Sequence, residues 1–147
     1  MDSTTKIAPT ISSGIAGPLG VLHLPRLWQK ASLGAAGKLH GDYQAAGPGL
    51  DQLLLDGLGI EREDFLAFID QQRPSYAELE KWLADRSEGG LNVAAVNQAI
   101  AGYEHDAEVR RDILTDAGID SDAPVRDAIT LNNLDDWAAF HRDLIIS

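Results

Sequence analysis

The sequence contains no cysteine. That absence excludes disulfides, thiolate zinc sites, iron–sulfur clusters and cysteine nucleophiles together. Basic residues are scarce: 12 Lys and Arg stand against 23 Asp and Glu, a formal net charge of −11. Nucleic-acid binders gain affinity by neutralising phosphates, so this surplus argues against DNA or RNA as a partner, and equally against an anionic membrane surface. No apolar run approaches the roughly 20 residues that span a bilayer. The stretch from Ile15 to Leu24 is cut by Gly17, Pro18 and Gly20 and has no basic leader. It does not read as a signal peptide, and the expected location is cytoplasmic.

Familiar catalytic and cofactor signatures are also missing. Gly37-Lys38-Leu39 lacks the hydroxyl of a phosphate-binding loop, and Gly14, Gly17 and Gly20 have the wrong spacing for a dinucleotide fingerprint. No G-x-S-x-G elbow, H-x-x-x-H pair, E-x-x-H pair or EF-hand loop occurs. Glu104, His105, Asp106 and Glu108 are consecutive enough to point in different directions, and read as a solvated helix start. No metal and no cofactor is expected.

What is present is an ordinary globular composition, 44% hydrophobic and 24% charged, over 147 residues. That length fits one domain. The charge is uneven: residues 1–50 carry +2 and residues 51–147 carry −13. The first third also holds eight of the 14 glycines and four of the six prolines.

Residues 1–13 read as a flexible tail, and 14–147 as a single helical domain. Val21 to Leu24 is a candidate short strand with no evident partner. A first helix starts at Pro25, where a missing N–H costs nothing, with Leu24, Leu27, Trp28, Ala31, Ala35 and Leu39 as its buried stripe. Leu50 to Leu58 is an apolar helix stopped by Gly59, and its exposed leucines would suit a homodimer. Phe65 to Ile69 lies in the next helix, ended by Pro74. Ser75 and Glu78 form a capping box. Asn92 and Asp106 cap two further helices. A short helix starts at Pro124, and Asn133 caps the last, with Leu134, Trp137, His141, Leu144 and Ile145 facing inward. Leu58-Gly59-Ile60 and Ala117-Gly118-Ile119 echo one another as two helix C-caps. The expected fold is all-α: a single-domain bundle of six to eight short helices, with an extended N-terminal segment across it.

The scarce cations mark a place to look. Arg26 and Lys30 lie one turn apart near a helix N-terminus, beside Gly34 and Gly37, where a carboxylate or phosphate can bind. His23, His40 and Tyr43 flank that helix as groups that can move protons. Asp51 can orient one of them. Trp28, Trp137 and His141 are candidate pocket walls.

Leu24-Pro25-Arg26, Lys30-Ala31, Gly41-Asp42-Tyr43, Leu50-Asp51 and Leu58-Gly59-Ile60 form a set. Over about residues 18–85 the chain resembles a bacterial family of small helical domains of unknown function, with an L-P-R-x-x-x-K-A pattern followed by Leu-Asp and Leu-Gly-Ile. It departs from that pattern in the Gly-rich Ala45 to Gly49, where a tighter loop is usual. The resemblance implies that Arg26, Lys30, Tyr43 and Asp51 belong to the defining segment, and it brings no chemistry. The residues support two expectations. One is a small cofactor-independent enzyme, of isomerase, lyase or cyclase type, acting on an anionic small molecule in a pocket built mainly from residues 23–51. The other is a non-catalytic helical module that binds a protein partner.

Overall fold

A computed structural model describes residues 5–146. The described residues form seven α-helices: α1 (Leu24–Ala35), α2 (Leu50–Leu58), α3 (Arg62–Gln72), α4 (Tyr76–Arg86), α5 (Val93–Gly102), α6 (Ala107–Asp116) and α7 (Ala128–Phe140). A single π-type turn over His141–Ile145 follows, closed by the Ile146 N–H donating to the His141 carbonyl at 3.1 Å. Among the described residues there is no strand, only three isolated bridges. The chain is an all-α domain.

The local reasons for the helices are those of the side chains at their ends. Ser75 and Glu78 close a reciprocal capping box on α4. The side chains of Asn92, Asp106 and Asp127 each accept a backbone N–H from the first turn of α5, α6 and α7. Gly59 and Gly118 take left-handed conformations (φ 70 and 79). The next residue then turns back, Ile60 N–H to the Leu55 carbonyl and Ile119 N–H to the Leu114 carbonyl. The repeated Gly-Ile is thus one C-cap motif used twice.

α1 packs on α3 and α4, α2 on α5, and α6 on α7. The main core runs through Val21, Leu24, Leu27, Leu54, Leu55, Phe65, Ile69, Leu79, Leu83 and Ile100. A smaller one, built on Ile113, Leu114 and Leu131, lies between α6 and α7. Leu50, Leu54, Leu55 and Leu58 are all spent on the main core, so α2 has no leucine stripe left for a second copy.

Four sequence expectations need correction. Residues 1–4 of the expected tail lie outside the described residues, but residues 5–13 are laid against α1. The Ile7 N–H donates to the Lys38 carbonyl, His40 N–H donates back to Ile7, Gln29 accepts from the Thr10 and Ile11 N–H groups, and Ser13 is completely buried. Val21 to Leu24 is not a strand: Leu22 makes one bridge to Ala16, and its N–H goes to Asn97 on α5. No helix follows Pro124: the Val125 N–H turns back to the Ala123 carbonyl, and the chain then bridges Asp127 to Glu104 and gives the Ala128 N–H to the Tyr103 carbonyl. Finally, α7 starts at Ala128 rather than after Asn133. Its buried face also differs from the expected one: Ala128, Leu131, Asp136 and Ala139 point inward, packing α7 on α6 and pairing Asp136 with Arg26, while Trp137 is 62% and Leu144 71% exposed.

The N-terminal segment is held to α4 through a close backbone approach. A Cβ at Gly17 would fall 2.3 Å from the Tyr76 ring and 2.8 Å from Glu80, whose carboxylate holds the Leu19 N–H. We expect Gly17→Ala to destabilise the fold by about 1–3 kcal/mol in urea unfolding. Gly41→Ala, where nothing lies within 4 Å, should stay within about 0.5 kcal/mol. Equal effects at the two positions would contradict this packing.

Candidate functional site

The residue that starts α1 is His23, held at φ 73, a left-handed conformation that is costly for a residue with a Cβ. Its imidazole is 1% exposed and is gripped from both sides. Nδ1 lies 2.9 Å from the Ser13 hydroxyl and Nε2 lies 2.6 Å from Asp51 Oδ1. Asp51 sits in the first turn of α2, where the helix dipole favours a carboxylate. Its second oxygen accepts from the Lys30 ammonium and, at 2.7 Å, from the Gly47 N–H. The Gly-rich loop before α2 therefore folds back onto the carboxylate that follows it.

Ser13 continues the chain in the other direction. Its Oγ accepts from Asn132 Nδ2 at 3.1 Å, and Asn132 Oδ1 lies 2.9 Å from His105 Nε2. One hydrogen-bonded chain thus links His105, Asn132, Ser13, His23, Asp51 and Lys30. It joins the loop before α6, α7, the N-terminal segment, α1 and α2.

The electrostatics of this chain are set by burial and then by Asp51. Burial alone would raise the Asp51 pKa, but the hydrogen bond from His23, the Lys30 charge and the Gly47 N–H outweigh it and bring it to about 2. Burial dominates at His23 and lowers its pKa, against the opposing pull of Asp51. The pair is therefore an ionised carboxylate and a neutral imidazole.

A second buried pair lies beside the first. Arg26 donates from Nη1 and Nη2 to Asp136 of α7, and from Nη1 to the Ile11 carbonyl at 3.1 Å. The Tyr43 hydroxyl donates to Asp136 at 3.0 Å. Burial, then the charges of Asp136 and Asp135, raise the Tyr43 pKa well above its ordinary value, so this phenol keeps its proton.

These groups border an open cleft of about 440 Å³. His23, Arg26, Lys30, Tyr43 and Asp51 line it, as do His105, Asn132 and Asp135. Asp135 makes no hydrogen bond or ion pair among the described residues. Its pKa is raised, first by burial and then by the neighbouring Asp136, with Arg26 opposing. Gly47 and Gly49 leave one lip of the cleft without side chains. Among the described residues no group of three or more His, Asp or Glu could hold a metal ion.

A family assignment coincides with this site. The family model described as "Domain of unknown function (DUF5069)" matches residues 13–136. The chain belongs to this family. The DUF5069 match runs from Ser13 to Asp136, so both buried clusters fall within it. It agrees with the resemblance carried by the Leu-Pro-Arg and Leu-Gly-Ile segments, and reaches well beyond them. No curated protein and no solved structure matches the chain.

The structure brings together His23, Arg26, Lys30, Tyr43 and Asp51. It does not bring the other sequence candidates to the cleft. His40 bonds Asp143 at 2.8 Å and lines a separate apolar hollow with Ile7, Pro9 and Phe140. Trp28 donates its indole N–H to the Pro74 carbonyl and packs edge-on against Tyr76. Trp137 and His141 share an outer hollow at the end of α7. Arg26 and Lys30, expected as free anchors, each carry a buried counter-ion. Sequence reasoning missed Ser13, Asn132, Asp135 and Asp136, and set His105 aside as part of a solvated helix start. An available signal was the Asp127-x-x-Thr130 cap, which places Asn132 inside α7 rather than before it.

The His23 environment has a consequence for acid stability. A group whose folded pKa is depressed binds a proton more readily when unfolded, so acid favours unfolding below its ordinary pKa of 6.5. His23 should therefore lose stability for the fold as pH falls through 6.5, at up to about 1.4 kcal/mol per pH unit for the single proton. In histidine-resolved NMR titrations its imidazole should stay neutral below that pH. An imidazole that titrates at 6.5 or above would contradict the burial argument.

Proposed function

We propose that this protein is a small enzyme that moves protons on an anionic small molecule bound in the cleft, by isomerase- or lyase-type chemistry carried by its own side chains. One observation carries the reading: two carboxyl groups line the same cleft, one gripped by three donors and the other partly buried with no hydrogen-bond partner among the described residues. Asp51 is held ionised by Lys30, His23 and Gly47, while Asp135 is partly buried, unpaired and raised. Such separation suits a fixed charge at one position and a group that gives up and retakes a proton at the other.

Lys30 is the anchor. One of its three ammonium N–H groups is used by Asp51, which leaves donors for an oxygen of the substrate along the cleft wall. Arg26 is a structural cation: its terminal nitrogens hold Asp136 and the Ile11 carbonyl, while its Nε is buried with no partner among the described residues. Asp135, on the wall of the same cleft, is the group assigned to give up and retake a proton, and a positioned acid or base is worth about 10²–10⁴-fold in rate.

A second reading, a surface for a protein partner, is favoured by a different observation. Trp137, Phe140, Leu144, Ile145 and Ile146 are all more than half exposed at the end of α7. Asp116, Asp136 and Asp143 border the hollows around them, which suits a partner segment with an apolar stripe and basic flanks.

Titration with inorganic phosphate and a series of small mono- and dicarboxylates, followed by amide NMR, separates the two readings. The enzyme reading predicts saturable shifts confined to residues 23–51, 105 and 132–135. They should weaken at least tenfold in a folded Lys30→Gln variant. Cleft resonances unmoved by every anion, or binding indifferent to Lys30, would refute it and leave the partner surface.

A further inference from the structure

The hydrogen-bonded chain has a direction, and that direction reaches His105. Asp51 is ionised and can only accept, so the His23 hydrogen sits on Nε2. The neutral His23 then offers Nδ1 as an acceptor, and the Ser13 O–H must donate to it. With its proton committed, Ser13 Oγ accepts from the Asn132 amide N–H. The amide is thereby oriented with its oxygen toward His105, and the only group His105 can offer that oxygen is an N–H at Nε2, 2.9 Å away. A neutral His105 is left with a bare lone pair on Nδ1. That atom has no partner among the described residues, and the half-buried ring borders the same cleft as Lys30. An edge-on contact with Tyr103, ring centroids 5.8 Å apart, fixes the ring from its other side.

We infer that His105 is the catalytic base of the cleft, with Ser13 and Asn132 as positioning residues that lock its tautomer, and that the substrate class is a small anion bearing a C–H bond next to a carbonyl. This rests on the proton-transfer reading above and names the second proton-handling group that reading requires. Nδ1 of His105 takes the proton of that C–H bond. The bonding pair moves into a new C=C bond, and the carbonyl oxygen takes the proton of Asp135. His105 becomes an imidazolium that still donates Nε2–H to Asn132, and Asp135 becomes a carboxylate. Where the C–H carbon also carries a hydroxyl, the first proton returns to the former carbonyl carbon while that hydroxyl gives its proton to Asp135, so a new carbonyl forms and both groups are restored. No oxidant, reductant or added group is consumed.

The test needs no substrate. Two-bond proton–nitrogen correlation spectra of the full chain at pH 7.5 report the tautomer of each imidazole. His23 should appear as the Nε2–H form, and of the two neutral tautomers of His105 at least nine-tenths should be Nε2–H. An Nδ1–H tautomer at His105, or a mixture like that of free imidazole, would overturn the inference. Asn132→Leu should release the lock and give a mixed tautomer at His105. A folded Asn132→Leu protein with His105 still locked would remove Asn132 and Ser13 from the argument and overturn it. If that variant does not fold, the wild-type spectrum decides alone. The anion titration stands apart from this test: a failed titration with the lock intact refutes the broader reading, whereas anion binding with no lock refutes only the assignment of His105.

Discussion

A single buried carboxylate, Asp51, holds this structure's polar interior in place. It receives the Lys30 ammonium, the His23 N–H and the Gly47 N–H, so it ties α1, the Gly-rich loop and the start of α2 to one atom pair. Burying a charge is costly unless it is paired and hydrogen-bonded. Here two partners come from α1 and its N-cap and the third from the loop before α2, so the cost is met only when both segments are in position. The Gly-rich stretch is explained by the same demand, since the loop must double back to present an amide to the residue that follows it.

The uneven charge along the sequence takes its meaning from this arrangement. The first third is basic on balance and the rest strongly acidic, yet the two do not form separate regions. Lys30 is neutralised by Asp51 and Arg26 by Asp136, so cations of the first third are seated on carboxylates of the acidic body. Removing one member of either pair would strand the other in a buried site. For that reason Arg26 reads as a fastener between α1 and α7, while Lys30, with donors to spare, remains available to a ligand.

Much of the helical scaffold was legible because its signals are local. The Ser75 and Glu78 box, the Asn92 and Asp106 caps and the two Gly-Ile C-caps depend on residues within a few positions of one another. The all-α class and the ends of α2, α4, α5 and α6 follow from them, whereas α1 stops at Ala35, short of the Leu39 its apolar stripe suggests. The site was legible only in part. His23, Lys30 and Asp51 stand out because cations and histidines are rare near them. Ser13 does not, because nothing in a short polar stretch says that it will be buried against a helix ten residues later. Asn132 lies 119 residues from Ser13 and Asp136 lies 110 from Arg26, and the face of α7 turned inward is the one that meets these distant partners and α6. Trp137 and His141 looked internal for the same reason. Position in the sequence reports helix ends well, but which polar side chain is pulled inside is decided by a partner far along the chain.

The central claim is that Asp51 is an ionised acceptor that sets the direction of every hydrogen bond from Lys30 to His105. Its side-chain carboxyl carbon, followed by NMR as pH is lowered, reports this directly. The carboxyl should stay ionised well below the ordinary value of 3.8, with a midpoint near 2. A midpoint at or above 3.8 would mean that Asp51 can carry the shared hydrogen itself, and the directed chain to His105 would no longer follow.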